Sequence, residues 1–177
     1  MKKEESTKFL KLCLADSLLK MMSKQKFDTI NINAVCEQAG VGRTTYYRYF
    51  DKKGNLEDLL VFKIVFEAKE YSQKHAEEKD QGKVFLNFVY ENRELFRVMY
   101  KNELTTSIMK AFDMLSDWKE ERKSAYLRAF FVYALFGVVY QWIKYDFDEN
   151  PDQIQQHTAE AIMSAVKQDQ AKDASRV

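Results

Sequence analysis

Proline is nearly absent from this 177-residue chain, with a single instance, and glycine occurs only five times. Both residues interrupt helices, the first by fixing φ and removing an amide donor, the second through its backbone freedom. Their scarcity predicts long, uninterrupted helices and few turns. The two cysteines, Cys13 and Cys36, are too few for a disulfide framework. They lie on apolar helix faces and read as buried free thiols, with nothing to indicate an oxidising compartment. His75 and His157 stand alone and the cysteines lack nearby partner ligands, so no metal spacing is present and no cofactor is expected. Also missing are GxSxG, HExxH and a Walker loop; residues 39–42 read AGVG without a following Gly-Lys-Ser/Thr. The acidic pairs Glu77-Glu78 and Glu120-Glu121 sit in exposed charge runs, which leaves catalysis without candidate residues and predicts a protein that is not an enzyme. The opening MKKEESTKF has no apolar h-region, so no signal peptide is expected. Residues 129–143, AFFVYALFGVVYQWI, fall short of the ~20 needed to span a bilayer. They are expected to form a buried helix in a cytoplasmic protein with no membrane partner.

What is present is a globular composition, 46% apolar and 31% charged. The formal net charge of +1 conceals an asymmetry. Residues 1–53 hold 11 Lys or Arg against 6 Asp or Glu, a net of +5, whereas residues 54–177 hold 17 against 21, a net of −4. A basic head on an acidic body favours a local polyanion contact over general stickiness towards nucleic acid.

The chain is organised around residues 35–50, VCEQAGVGRTTYYRYF. An apolar-periodic segment carrying Ile32, Val35, Cys36 and Ala39 stops at Gly40, and a second helical segment starts almost at once. Gly40 suits the left-handed conformation that ends a helix, and Val41 can plug the space between the two helices. If the second helix starts near Gly42, Val41, Tyr46, Tyr49 and Phe50 lean towards the core, and Arg43, Thr44, Tyr47 and Arg48 lean away. The outer face then carries guanidinium forks for guanine edges or phosphates, hydroxyls for phosphate oxygens, and a thymine-compatible methyl on Thr44.

Residues 14–60 resemble the N-terminal DNA-binding domain of the TetR family of transcriptional regulators. The matches are Leu14, Leu18, Leu19, Met22, Phe27, Asn31, Ile32, Val35, Ala39, Gly40, Val41, Thr45, Tyr47, Tyr49, Phe50, Lys53, Leu56, Leu59 and Leu60. The resemblance implies an all-α fold of about nine helices, with a helix-turn-helix domain at residues 1–53 and a helical regulatory and dimerisation domain at 54–177. It implies a homodimer that binds double-stranded DNA at a palindromic operator, most often as a repressor. Arg43, with Thr44 beside it, is expected to reach bases. Thr45, Tyr47, Tyr49 and Lys53 are expected to hold phosphates, joined by Arg48, while Asn33 either reaches a phosphate or base edge or is simply solvated. Gly42 stands where the family usually has a Ser cap, Arg43-Thr44 replaces a common Lys-Gly or Pro-Gly pair, and Tyr46 replaces a buried Leu.

Along the chain, a first helix is expected over residues 7–24 and a second over 32–38 with Asn31 as its cap. A long fourth helix is expected to start near Lys52, capped by Asp51, with Leu56, Leu59, Leu60, Lys63, Ile64 and Phe66 on one face. The charged stretch 69–83 reads as a loop broken at Gly82, followed by helices at 84–90, 93–100, 104–118, 124–145 and 151–167; the tail from Gln170 reads as disordered. In the family the middle helices enclose a ligand cavity, here walled by Phe88, Tyr100, Met109, Phe112 and Tyr133, which would suit a small hydrophobic or aromatic ligand; a partner protein is the alternative effector. Such aromatic stripes also serve as plain core. The last two helices would form the dimer seam through Phe131, Leu135, Val138, Trp142, Ile154, Ala161 and Ile162, because a helix apolar all round needs partners on every side. Two other classes use the same fold: an architectural or cell-division factor without an inducer, and an adaptor that has lost DNA binding.

Overall fold

The computed structural model describes residues 3–49, 55–116 and 122–174. Among them are nine α-helices and one 3-10 turn, with no strand. They run α1 (Lys3–Met22), the turn Phe27–Thr29, α2 (Ile32–Ala39), α3 (Arg43–Tyr49), α4 (Glu57–Lys74), α5 (Gln81–Glu91), α6 (Arg93–Lys101), α7 (Thr105–Leu115), α8 (Arg122–Lys144) and α9 (Pro151–Ala174). The all-α fold that the resemblance implies is the observed one among the described residues.

Local chemistry sets the boundaries. Asn31 Oδ1 accepts the Ala34 amide at 3.0 Å and starts α2. Gly40, at φ 65°, ends it: the Gly40 amide donates to Glu37 O and the Val41 amide to Cys36 O, the paired bonds of a Schellman motif. At α9, Asn150 Oδ1 accepts the Gln153 amide at 3.0 Å while Gln153 Oε1 accepts the Asn150 amide at 2.9 Å, a reciprocal capping box around Pro151.

Three boundaries differ from expectation. The charged stretch 69–83 is mostly helical: α4 continues to Lys74 and α5 begins at Gln81. Asp80 Oδ1 accepts the Lys83 amide at 2.9 Å, so a side-chain cap starts α5 and Gly82 lies inside its first turn. Helix α9 continues to Ala174, through residues expected to be loose, in a stretch rich in Gln, Ala and Lys, all adequate helix formers. The fourth helix starts at Glu57, after the non-helical Asn55 and Leu56, and not near Lys52; Asp51, Lys52 and the expected boundary at residues 53/54 lie outside the described residues.

One core runs through head and body. In the head, Leu14, Leu18, Met22, Val35, Cys36, Val41 and Tyr46 are buried; Cys36 fits its reading as a buried thiol, while Cys13 is half-buried. Helix α4 packs against α1 on one side and α7 on the other, α5 lies between α4 and α9, and α6 touches α1, α7 and α8. Within the protomer helix α8 is buried on one side only. Residues 124–144 are apolar and long enough to cross a membrane by length and composition. Val132, Val139, Trp142 and Ile143 are buried in the core, whereas Tyr126, Phe130, Phe131 and Tyr133 are exposed.

The two turn glycines should respond in opposite ways. A side chain at Gly40 would meet no atom within 4 Å, so Gly40→Ala should cost only the left-handed backbone penalty, about 1 kcal/mol. At Gly42 a Cβ meets only Thr45 Oγ1 at 3.8 Å, leaving room for a cap. Gly42→Ser should therefore stabilise by a few tenths of a kcal/mol. Urea unfolding of both variants checks this, and a loss at Gly42 as large as that at Gly40 would contradict it.

Candidate nucleic-acid interface

Helix α3 divides as its spacing predicts. Tyr46 is 0% exposed and forms the inner face with the buried Val41. Arg43, Thr44, Tyr47 and Arg48 are exposed, and Thr45 is half-buried at the edge between the faces. The rings of Tyr46 and Tyr47 meet edge-on at 5.3 Å, so the buried ring braces the exposed one. Arg43 Nη1 donates to Asn33 Oδ1 at 3.4 Å, which brings the exposed Asn33 of α2 onto the same face. Tyr49 is the last residue of α3, and Phe50 and Lys53 lie outside the described residues. The face thus offers two guanidinium groups, hydroxyls and a methyl on a rigid element whose reverse side is buried. Burial pushes the Tyr46 hydroxyl up to about 12, aided by charge on Cys36, Tyr47 and Asp58. Burial also raises the Cys36 thiol, against the opposing charge of Arg43.

The face is held to the body by contacts that sequence reading did not find. Lys63 of α4 pairs with Asp16 of α1 at 2.8 Å and with Glu67. Burial disfavours its charge, but the bonds to the two carboxylates outweigh this and raise its pKa. At the start of α4, Lys110 of α7 pairs with Asp58 at 2.8 Å and Ser107 donates to Glu57. Asn102, just past α6, accepts the Phe27 amide at 2.8 Å. Residues 75 positions apart leave no local signal for such a bond.

The five expected pocket residues do not line one cavity. Phe88 lines a cavity of about 230 Å³ with Tyr71, Gln81 and Phe85. Phe112 lines one of about 420 Å³ between α5, α7 and α8, whose wall includes Ser116 and Arg128. Tyr100 packs edge-on against Tyr140 at 5.8 Å, Met109 is half-buried on α7, and Tyr133 is exposed on α8. Arg128, not anticipated, donates to Ser116 Oγ at 2.8 Å and pairs with Asp113 at 2.6 Å.

The seven expected seam residues also separate. Phe131, Ala161 and Ile162 are exposed and Leu135 and Val138 half-buried. An open groove of about 310 Å³ between α8 and α9 includes Phe131, Leu135, Val138 and Ile162. Trp142 and Ile154 are corrected: they are 1% and 8% exposed in the protomer's own core. Trp142 stacks on Tyr90 at 5.6 Å and donates its indole N–H to Glu149 O at 3.1 Å, so its surface is already spent.

An all-helical body lies behind a helix-turn-helix whose second helix has an exposed polar face. Residues 79–164 match the TetR-type model described as a transcriptional regulator C-terminal region. No curated protein matches the chain significantly. The matched region begins after the stretch that resembles the family's DNA-binding domain, so two separate segments point to one family.

Alkaline unfolding should report on the inner face of α3. Folded Tyr46 holds its proton up to about 12, whereas the unfolded chain releases it near 10. Between these values the folded state binds more protons, so this contribution is intact below about pH 10 and is lost as pH rises towards 12. In urea titrations Tyr46→Phe should fall less steeply than wild type over that window. Identical slopes would show that the hydroxyl is not the titrating group.

Proposed function

We propose that the chain is a sequence-specific DNA-binding transcriptional regulator that represses as a homodimer on a palindromic operator. The observation that carries this is the two-faced α3, with Tyr46 fully buried behind an exposed Arg43, Thr44, Tyr47 and Arg48. Among the described residues neither arginine is in an ion pair, and Arg43, which donates from one nitrogen to Asn33, keeps further donors for phosphates or guanine edges. Arg43 is the base-reading residue, with Thr44 beside it. Thr45, Tyr47, Arg48, Tyr49 and Lys53 hold phosphates.

Two copies are needed to span a palindrome, their recognition helices about 34–36 Å apart or a small departure from it. The surface suited to pairing is the outer side of α8 with α9. Tyr126, Phe130, Tyr133 and Gly137 recur at spacings of four, three and four, on one face, and Ile162 and Met163 of α9 are 60% and 64% exposed. An apolar surface of this kind is costly to leave in water. Either a small apolar ligand in the body cavities or a partner protein would release DNA by favouring a different head separation.

Arg43→Ala should weaken binding to the selected site by about 1–3 kcal/mol and relax preference at one base pair. Selection from random duplexes with wild type and variant checks it, and an unchanged preference would remove Arg43 from base reading. Gly137 has open space around a built Cβ. Gly137→Trp should leave the protomer folded and weaken self-association at least about tenfold by blocking close helix approach. Sedimentation equilibrium decides; an unchanged association constant would move the seam elsewhere.

A further inference from the structure

We propose that Asn33 is a positioning residue for base reading: from α2 it holds the Arg43 guanidinium in place before DNA binds, so that preference at the base pair Arg43 meets depends on a residue outside the recognition helix. The proposal rests on the DNA-binding reading above.

The turn between α2 and α3 brings the two side chains together. Arg43 is the first residue of α3 and Asn33 the second of α2, and both are exposed. Ten positions apart in sequence, they meet because the left-handed Gly40 folds the chain back on itself. Arg43 Nη1 donates to Asn33 Oδ1 at 3.4 Å. The acceptor sits on a fixed support: Asn31 caps the helix beside it, and Val35, on the opposite side of α2, is 0% exposed. The charge of Arg43 also bears on the Cys36 thiol of α2, which places the guanidinium back over that helix rather than out along α3.

Local chemistry alone does not favour an arginine here. A positive charge in the first turn of a helix opposes the helix dipole, and Gly42 before it supplies no side-chain cap. A residue that breaks a local rule without a gain in stability points to function. An unattached arginine would also have to give up its rotamer freedom on meeting a base, and a bond made within the protein removes part of that loss beforehand. The partner suits the task because it is neutral. Glu37 lies four residues further along the same side of α2, yet the bond is to the Asn33 amide. An amide orients the guanidinium and leaves its charge for DNA, whereas a carboxylate would cancel it. With Nη1 tied to Asn33, the donors on Nε and Nη2 remain to form a fork for a guanine edge.

A double-mutant cycle on the full chain tests this, with affinities measured for the selected duplex and for one in which the base pair identified by Arg43→Ala is replaced. Asn33→Ala should lower the preference between these duplexes about three- to tenfold, the worth of a neutral hydrogen bond, and change affinity for the replaced duplex by less than about twofold. In the Arg43→Ala background it should lower the preference no further. Asn33→Asp keeps the acceptor oxygen, so it should retain the preference while its added charge weakens binding to both duplexes alike. Equal weakening of both duplexes by Asn33→Ala, or the same loss of preference with and without Arg43, would make Asn33 a DNA contact in its own right and overturn the proposal. Loss of preference in Asn33→Asp as large as in Asn33→Ala would overturn it as well, as would an Arg43→Ala variant whose preference is unchanged. Failure of wild type to bind any duplex in low salt would sink the functional reading and this proposal with it. Wild-type binding with an unchanged preference in Asn33→Ala would sink the proposal alone.

Discussion

The burial of α4 between α1 and α7 is the constraint on which the rest of the molecule depends. Leu59, Leu60 and Ile64 are fully buried, with Val61 and Ala68 nearly so. Each large aliphatic side chain contributes on the order of 1.5–3 kcal/mol when removed from water. The Lys110–Asp58 pair at the same junction is exposed on both sides, and such pairs contribute at most about 1 kcal/mol. Apolar packing, supplemented by the Lys63–Asp16 pair between α4 and α1, therefore joins head to body. Separating them would cost several kcal/mol, so movement of α3 relative to the body must come from small tilts that keep this contact.

What was legible in the sequence was what is determined locally. Asn31, Gly40, Val41 and Tyr46 specify the α2–α3 turn within sixteen positions, and each does in the structure what its chemistry suggests. Pro151 marked α9 correctly for the same reason. Asp80 was equally local but was overshadowed by Gly82, because a glycine in a charged run resembles a break when its neighbour's capping bond goes unnoticed. The α8–α9 corner carried no signal at all: its left-handed positions are Asp146 and Phe147, where glycine would have announced a turn. Periodicity identified Trp142 and Ile154 as apolar-face residues but could not say whose surface covers them. Tyr90, Phe147 and the rest of the protomer do so.

The aromatic body shows why five large residues did not make one pocket. Phe112 meets Phe85, Phe96 and Phe136 edge-on at 5.1, 6.3 and 6.2 Å, so these rings fill the centre that a ligand would need. Open space is left at the helix junctions on either side. The two cavities share Gln81, Phe85 and Leu115, and they flank the ring cluster without penetrating it. Ser116 and Arg128 put polar groups on one wall, and the Arg128 charge is already paired with Asp113 outside the lining.

Phe131 and Leu135 line both the cavity between α5, α7 and α8 and the groove between α8 and α9. Filling the cavity therefore presses on the same side chains that face the proposed seam, and α6 touches α8 from behind. A regulator needs coupling of about 1–3 kcal/mol between effector and DNA. The Arg97–Asp146 pair between α6 and the α8–α9 corner, open to solvent on the aspartate side, contributes at most about 1 kcal/mol and the neutral bonds of Asn102 about 0.5–1.5 each. Those magnitudes match the coupling required, whereas breaking the α4 packing would cost more than an effector of that strength supplies. The weak points of the α6 contacts, not the strong ones of α4, are where a signal of this size can change the balance of states.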